Sequence, residues 1–593
     1  MKHTVVLSTL FRSKFIRLLP LLMVAGGYST VAQAACDCGS TDESKPCTGN
    51  SINVSVNDSR TVSFNWSFNS GGSNAVCGQF ANGDYWIAPA SGKSSVTVTA
   101  LTASGSGPVA LDVNPQLEAM GLLDSSDTYG NYVASENIRG KLPATYSKAV
   151  SLVAATERNE SAHGECGTKQ IVGNCADVYN IVTVLTAPPE DNGAYTLRPN
   201  IDDDVKDLIT YDDIDFSRLP SKSYLQGTDA DGLEAIRQRW SHSTEVLSVR
   251  GFDGSLYSEG GRAFRASLLV PDYGGGVAKV WHDDLMKLFS SDNTLEEKKP
   301  ALAAMLVYGK DLFHAIYDGS TRTRNWGSGA GQSLGKFPTA VFFAAMVKDS
   351  YYADILSKTS TTLLGYDDLR GPHELDQVNI GKNGPIWGDY PDNMSETDIG
   401  AYWASALKSQ CFDGATGSCN PNVGKKTSRD PYGYIDGPPN NPGTSYMSVS
   451  LGPMRSLVAS MFLLPKMCDI VNYQPLVEYV DRVHEDGIKA NEDPCAPPDP
   501  RESESGCDAY RGGDGCRYFG VTWGPDPSNP GMCITNGAGQ NGRFPDRNGD
   551  RLNPGYPSSQ VEGNWERIRG SQPTCLSANL PMPPNSINVQ QTN

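Results

Sequence analysis

Alternation of hydrophobic and polar residues dominates the first third of the chain. It is strict over residues 51–56 and 61–66, and β-branched residues fill the runs 94–101 and 181–185. Clusters of Gly, Asn and Ser separate these runs, as turns between strands require. A period of two places alternate side chains on opposite faces of a strand. The pattern therefore predicts an antiparallel β-sandwich over residues 35–200.

From residue 201 to residue 490 the hydrophobic period becomes that of a helix. Residues 295–316 form a long run, and Glu296 and Glu297 open it, where negative charge suits the positive end of the helix dipole. Long loops rich in Gly and aromatic residues connect the runs, which indicates helical hairpins around a centre. Further helices are predicted over residues 230–240, 276–289, 338–347, 396–407, 453–467 and 475–484.

The remaining residues, 491–593, are rich in Pro, Gly, Asp and Asn and predict an irregular C-terminal region. All 14 cysteines of the chain lie after residue 34, and many are close neighbours in sequence. An even number of cysteines predicts a disulfide framework that staples this region to the helical part, with the connectivity left open. Zinc is disfavoured because no pair of cysteines is separated by two residues and no histidines cluster nearby.

The N-terminal 34 residues have the features of a cleaved signal peptide. Lys2, Arg12, Lys14 and Arg17 precede a short apolar run at 18–26, and Ala-Gln-Ala at 32–34 suits signal peptidase. A membrane anchor and a lipid on Cys36 are the alternatives, but the apolar run is short for a membrane span. We therefore expect a secreted or periplasmic protein without stable membrane insertion.

The charge of the chain narrows the choice of partners. The formal net charge is −18, and it becomes −22 once the four basic residues of the signal are removed. Nucleic-acid-binding proteins carry basic patches that displace counterions, so nucleic acid is not an expected partner.

Two stretches of the helical part carry a resemblance to a known group of proteins. One is 309–316, which a Gly-rich loop joins to Lys336-Phe337-Pro338, and the other is 476–483. They resemble stretches of uncharacterised large secreted bacterial proteins, over about residues 260–570. A β-sandwich joined to a helical array also resembles polysaccharide lyases with an (α/α) toroid. The resemblance implies a multidomain α+β protein whose residues 201–490 form a toroid-like domain that acts on polysaccharide, although no complete motif of a characterised lyase is present.

The loop at 322–332 is the first candidate site. Its glycines let the backbone approach a ligand closely, and Trp326 offers a ring for stacking on a sugar. Arg322, Arg324 and Lys336 are candidates for pairing with a uronate carboxylate. In the alternative interpretation, the glycines only turn the chain.

Catalytic candidates flank this loop. A lyase needs a group that neutralises the carboxylate, a base for the C5 proton and an acid for the leaving oxygen. Asn325 or an arginine suits the first role, and His314 with Tyr317 or Tyr273 suits the other two. His314 and Tyr317 are three residues apart and so lie on one face of the helix end. Packing of His314 in the core is the competing interpretation.

A second cluster, at 387–393, leaves two other functions open. Trp387 and Asp389 are substrate-binding candidates there, and Tyr434 lies in a later loop of similar composition. Asp389 with Asp436 would be the acid and base of a glycoside hydrolase. The third alternative is a non-catalytic surface or matrix protein that binds polysaccharide through these loops.

Other polar residues have simpler explanations. His282 lies between acidic residues in a predicted helix, and a solvated helix face is the favoured explanation. The acidic loop at 546–550 resembles a calcium loop but lacks the closing glutamate, and 229–232 is a weaker match. Turns explain both segments, so calcium is a possible cofactor and no metal ligand is assigned.

Overall fold

The protein is described here from a computed structural model. It describes residues 47–57, 61–104, 109–115, 121, 133–157, 176–202, 205–241, 274–316, 334, 336–361, 444–486, 532–534, 541–543 and 556–571. The described residues include both antiparallel sheets and helices, which confirms the α+β class predicted from the sequence.

The described residues of the N-terminal part contain ten strands. Four of them, β2, β3, β6 and β10, lie where the alternating runs predict strands. The strands are β1 (Cys47–Gly49), β2 (Ser51–Asn57), β3 (Thr61–Asn69), β4 (Ala75–Gln79), β5 (Tyr85–Ala88), β6 (Val96–Ser104), β7 (Val109–Val113), β8 (Ala144–Tyr146), β9 (Val150–Glu157) and β10 (Ala176–Val184).

These strands form two sheets. The six-stranded sheet has the order β1-β4-β5-β10-β9-β7, and the four-stranded sheet has the order β2-β3-β6-β8. Neighbours are antiparallel except β5 and β10, which run parallel, with Val182 opposite Tyr85. This pair departs from the purely antiparallel prediction. Residues 181–184 of β10 are buried on both faces, as in the central strands of parallel sheets, so their sequence does not alternate.

One hydrophobic core lies between the two sheets. Phe64 and Trp66 enter it from the four-stranded sheet, and Ile87 and Leu152 enter it from the six-stranded sheet. The indole Nε1 of Trp66 donates a hydrogen bond of 2.7 Å to Oδ1 of Asn180 on β10. This bond satisfies both buried polar groups and links the two sheets.

The described helices follow the sheets and share a second core. Trp240 packs on Tyr308 with ring centroids 4.8 Å apart, and Trp281 packs on Phe342 at 5.6 Å. The helices are α1 (Ala230–Ser241), α2 (Gly274–Phe289), α3 (Leu295–Ile316), α4 (Phe337–Met346), α5 (Ser350–Thr361), α6 (Thr444–Leu463), α7 (Pro465–Val471), α8 (Gln474–Asp486) and α9 (Ser559–Arg569).

Helix α3 is central to this core, and its bounds are those predicted from the sequence. Thr294 and Glu297 form a capping box, in which the backbone N–H and hydroxyl of Thr294 both donate to the Glu297 carboxylate, at 2.7 and 2.8 Å. Residues 301–308 are all buried. Helix α3 is therefore buried on every side over these residues.

Two predicted helix features need correction. Pro453 is the first residue of a predicted helix, but it lies inside α6. The predicted helix 453–467 is divided instead, since α6 ends at Leu463 and α7 begins at Pro465. The predicted helix over 396–407 lies outside the described residues.

The C-terminal region contains regular structure where irregular structure was predicted. Strands β11 (Met532–Ile534) and β12 (Asn541–Arg543) pair as an antiparallel hairpin. Helix α9 inserts Val561, Trp565 and Ile568 into the helical core. Burial of these three side chains compensates for the weak helix propensity of Gly563.

None of the described cysteines is a free thiol. Cys47, Cys77 and Cys468 are disulfide-bonded. The connectivity of the wider disulfide framework stays a prediction.

Candidate functional site

A buried arginine joins the sheets to the helices. Arg198 lies in the segment that follows β10, and its Nε is 2.6 Å from Oδ2 of Asp84, in the turn between β4 and β5. Its Nη2 is 2.5 Å from Oδ2 of Asp311 on α3. All three side chains are at most 1 % exposed. Each charge is therefore compensated by a partner, as burial requires.

Lys310 lies beside this arginine and is also buried. Its ammonium donates to the carbonyl oxygens of Arg198, at 2.6 Å, and Asp207, at 3.2 Å. Burial lowers the pKa of Lys310 to about 7. Its bonds hold the backbone of the 198–207 segment against α3, so this lysine is engaged in structure.

One turn further along α3, three polar side chains form the candidate site, which we call the His314 cluster. His314 Nε2 lies 3.3 Å from Oδ2 of Asp207, and the Tyr352 hydroxyl on α5 donates to the same Oδ2. The His314 side chain is 18 % exposed and that of Asp207 is 39 % exposed, whereas Tyr352 is buried. The cluster is therefore packed against the protein at Tyr352 and is accessible to solvent at His314 and Asp207.

The charge state of the cluster follows from these contacts. His314 holds the pKa of the Asp207 carboxyl well below its usual range, and the Tyr352 hydroxyl acts in the same direction. Burial, together with the bond to Asp207, raises the pKa of Tyr352. Asp207 is thus an anion and Tyr352 a neutral donor, and the anion can balance a positive charge that develops on His314.

The 198–207 segment contains a second carboxylate, that of Asp202, which is more deeply buried than that of Asp207. Asp202 is 4 % exposed, and burial raises its pKa, opposed by the nearby His314. Asn200 Nδ2 donates to the backbone oxygen of Asp202 at 2.9 Å and to its Oδ1 at 3.3 Å. The ammonium of Lys206 bonds to the carbonyl oxygens of residues 200, 201 and 202. The pKa values of Asp202 and Asp207 are therefore shifted in opposite directions, although the two residues are only five positions apart.

Of the candidates predicted from the sequence, His314 and Lys336 fall within the described residues. His314 lies at the C-terminal end of α3, as predicted. Lys336 precedes α4 and is 4 % exposed, so its side chain is enclosed by protein rather than displayed on the surface. The other candidates lie outside the described residues: Tyr273, Tyr317, Arg322, Arg324, Asn325, Trp326, Trp387, Asp389 and Tyr434.

Sequence reasoning did not identify Asp207 and Tyr352. Asp207 follows the acidic run at 202–204, to which the sequence pattern assigns no function, and Tyr352 lies on a helix that is not predicted. One signal was present: Lys310, Asp311 and His314 interrupt the apolar residues that follow the charged first turn of α3. Polar groups on a buried helix require partners, and the 198–207 segment supplies them.

Two other polar residues have structural roles. His282 is fully buried in α2, so the predicted solvated face is wrong, and burial lowers its pKa to about 4. Trp281 and Leu285, its hydrophobic neighbours on α2, are also buried, so this face of the helix packs in the core. Asp229 accepts a hydrogen bond of 2.9 Å from the N–H of Gly232, which caps α1 and leaves this segment a turn.

Metal binding is not supported by any of the described residues, because no three His, Cys, Asp or Glu side chains among them are arranged to hold an ion. The calcium-like loop at 546–550 lies outside those residues. No helix in the described ranges is both long enough and apolar enough to cross a membrane.

Comparison with known proteins finds no match: no family model, no curated protein and no solved structure is significantly similar to the chain.

Proposed function

We propose that the chain is a secreted enzyme that cleaves a uronate-containing polysaccharide by β-elimination, with His314 as the residue that exchanges the proton. The contact between His314 and Asp207, with Tyr352 on the same carboxylate oxygen, carries this proposal. A histidine oriented by a buried or half-buried carboxylate is a common arrangement for general acid–base catalysis.

The reaction would proceed as follows. Neutral His314 takes the proton from C5 of the uronate, the C4–O bond breaks, and a double bond forms between C4 and C5. The anionic Asp207 balances the charge that appears on the imidazole. Because Nε2 faces Asp207, Nδ1 is the ring nitrogen that would meet the substrate. The other two roles stay assigned as the sequence predicts: Tyr317 or Tyr273 protonates the leaving oxygen, and Asn325, Arg322 or Arg324 neutralises the carboxylate.

The architecture is compatible with this proposal. Two sheets with a shared core are joined to a helical part, a combination that resembles secreted lyases with an (α/α) toroid, and we propose that the helical part forms such a toroid. The His314 cluster lies beside the junction of the two parts. A site at such a junction is a frequent location for ligand binding.

Glycoside hydrolysis is the second candidate. Asp202 and Asp207 have pKa values shifted in opposite directions, and a pair of this kind serves as acid and base in hydrolases. The burial of Asp202 makes it less accessible than Asp207, so elimination through His314 is the favoured mechanism. A non-catalytic polysaccharide-binding protein is the third candidate.

The test follows product formation by the purified protein without residues 1–34. A panel of uronate polymers is incubated with protein, and the ultraviolet absorbance of the new conjugated double bond is recorded. We expect His314→Ala to lower the rate about a hundredfold or more, since acid–base groups contribute about 10²–10⁴-fold. Asp207→Asn is expected to lower it less, and Tyr352→Phe least.

His484 provides a matched control. It lies near the end of α8, with Nε2 2.9 Å from Oε1 of Glu566, and so forms a similar pair with a carboxylate on an exposed surface. His484→Ala should retain the wild-type rate. New reducing ends without the absorbance change would favour hydrolysis, and binding without either product would favour the non-catalytic protein.

A further inference from the structure

Strand β2 forms one edge of the four-stranded sheet. All seven of its residues pair with β3, and the described residues contain no strand that pairs with its other side. An edge strand presents a row of unpaired backbone N–H and C=O groups, onto which another strand can add. The outer side of β2 is therefore a surface for strand pairing.

The pairing with β3 determines which backbone groups of β2 point outward. The N–H of Phe68 on β3 donates to the oxygen of Asn50, just before β2, at 2.8 Å. The register places these two residues opposite each other, so they are a hydrogen-bonded pair. Such pairs alternate with non-bonded pairs along antiparallel strands. The even-numbered residues of β2 therefore bond to β3, and the odd-numbered residues direct their N–H and C=O groups outward.

A side-chain contact agrees with this assignment. Oγ of Ser55 lies 3.0 Å from Oγ of Ser63, the residue opposite it on β3. Side chains approach each other most closely in the non-bonded pairs of an antiparallel ladder. Ser55 is thus one of the residues whose backbone groups face outward.

The outer side of β2 lacks the features that usually prevent strand pairing. Asn53 and Ser55 are exposed, and residues 51–57 contain no charged residue and no proline. The register with β3 has no bulge. Natural edge strands are commonly protected by charge, by proline, by a bulge or by short length. Strand β2 has none of these protections.

The other three edges of the two described sheets are protected. Strands β1 and β8 have three residues each, and Pro143 directly precedes β8. The outer side of β7 is covered by its own chain, since the N–H of Ile138 donates to the oxygen of Leu111 at 2.8 Å. The N–H of Leu111 donates in turn to Oδ1 of Asn137 at 3.3 Å. Of these four edges, β2 alone is both long and unprotected.

A second copy of β2 fits this edge. An antiparallel copy related by a two-fold axis at Val54 would place Ser51 opposite Asn57 and Asn53 opposite Ser55. These odd-numbered residues are the ones whose backbone groups point outward, so each pair can exchange two hydrogen bonds. Uncharged polar side chains would meet each other on the outer face, and the buried faces of the two sheets would continue into each other.

Charged groups lie beside this edge rather than on it. Lys93 lies against the turn after β3, with its Cδ 3.2 Å from a Cβ built on Gly71. Asp58 and Arg60, which have opposite charges, follow β2 in sequence and lie outside the described residues. The net charge of −18 makes two copies of the chain repel each other at longer range, and salt screens this repulsion. Association through β2 should therefore strengthen as salt is added.

From these observations we infer that the chain forms a dimer in which two β2 strands pair antiparallel and join the two four-stranded sheets into one. The interface lies in the sheets, and the His314 cluster does not contribute to it. The inference is therefore independent of the proposed activity.

Sedimentation of the purified protein without residues 1–34, over a range of concentrations at low and high salt, tests the dimer. We expect a reversible equilibrium between monomer and dimer. Asn53→Pro removes an outward N–H and leaves the bonds to β3 in place, and Ser55→Lys adds a charge to the edge. Each substitution acts twice in a symmetric dimer, so each should raise the dissociation constant about tenfold or more.

Asn65→Lys is the matched control. Asn65 lies opposite Asn53 on the central strand β3, so lysine there adds a charge to the same face of the sheet and leaves the edge unchanged. This variant should dimerise like the wild type. Thermal unfolding of each variant checks that the fold is retained.

Hydrogen exchange of the wild-type protein supplies a test without substitutions. The amide protons of Asn53 and Ser55 should exchange quickly in dilute protein and slowly in concentrated protein. Those of Ile52 and Val54, which bond to β3, should exchange slowly in both. Fragmentation mass spectrometry resolves these single residues.

Several results would overturn the inference. They are a monomer at every concentration, a dimer that neither edge variant weakens, and exchange at Asn53 and Ser55 that does not depend on concentration. Equal weakening by Asn65→Lys and the edge variants would place the contact on the face of the sheet instead. Open-ended assembly beyond the dimer would also contradict it, because a two-fold pairing of β2 uses both edges and closes.

Discussion

At the scale of single residues, the burial of His282 makes stability depend on pH. Its Nδ1 donates to the carbonyl oxygen of Ala278 at 2.7 Å, and its Nε2 has no hydrogen-bond partner among the described residues. Burial lowers the pKa from 6.5 to about 4, against the opposing effect of the nearby Asp283. Between these pH values the unfolded chain binds a proton that the folded chain does not.

The folded state therefore loses stability as pH falls from 6.5 towards about 4. Each pKa unit corresponds to about 1.4 kcal/mol, so this histidine contributes a loss of about 3 kcal/mol. We expect His282→Leu to flatten the dependence of the unfolding free energy on pH in that range, as measured by urea denaturation at several pH values. If the His282→Leu curve runs parallel to that of the wild type, the histidine does not titrate as described.

Residues in the candidate site were only partly predictable. The sequence indicated His314 because it precedes the Gly-rich loop at 322–332 and lies three residues from Tyr317, on one face of the helix end. Asp207 and Tyr352 are 107 and 38 residues from it in sequence, on either side, and their contact with it depends on tertiary packing. Local pattern carries no information on such contacts.

At the scale of elements, a glycine sets the distance between α3 and α4. A Cβ atom at Gly309 would lie 2.2 Å from the backbone oxygen of Thr339 and 3.0 Å from Cβ of Phe343. Because the nearest atom belongs to the backbone of a buried helix, the added methyl group would push the helices apart.

Alanine at this position should therefore destabilise the protein. We expect Gly309→Ala to lower the unfolding free energy by about 1–3 kcal/mol. Gly563 in α9 is the matched control, since nothing lies within 4 Å of its added Cβ. Gly563→Ala should raise stability by about 0.5–1 kcal/mol, because alanine loses less backbone entropy in a helix. Thermal denaturation of the two variants measures both effects, and similar shifts would contradict the close approach.

Long periodic elements were predictable, and short or polar ones were not. The bounds of α3 match the prediction because its apolar residues and its acidic first turn agree. Helix α5 is rich in Ser, Thr and Tyr, and α9 contains Gly563 in a Pro- and Gly-rich region. Packing stabilises these two helices in spite of weak local propensity.

At the scale of the whole molecule, the Arg198 triad joins two separate hydrophobic cores. Asp84 belongs to the sheets, Asp311 belongs to α3, and Arg198 lies between them in sequence. Removal of the arginine would leave two carboxylates buried without their counter-charge. Buried charge of this kind is costly.

We expect Arg198→Met to lower the unfolding free energy by about 3–5 kcal/mol and to separate the unfolding of the two cores into distinct transitions. Calorimetry, with protease digestion between the transitions, tests both effects. Lys299→Met, which removes a pair with the exposed Glu296 on α3, should cost less than about 1 kcal/mol. A single undivided transition in Arg198→Met at unchanged temperature would show that the triad does not couple the cores.

Helix α9 has a consequence for the timing of folding. Arg569 pairs with Asp481 at 2.7 Å, and Gln560 bonds to the backbone of Gln226, 334 residues earlier. The sheets can fold as soon as β10 has been synthesised. The helical core, however, is incomplete until α9, the last described helix, has been synthesised, because side chains of α9 form part of it. A nascent chain therefore passes most of its synthesis unable to close this core. For the secreted protein that we propose, this late closure keeps the helical part of the chain unfolded during export.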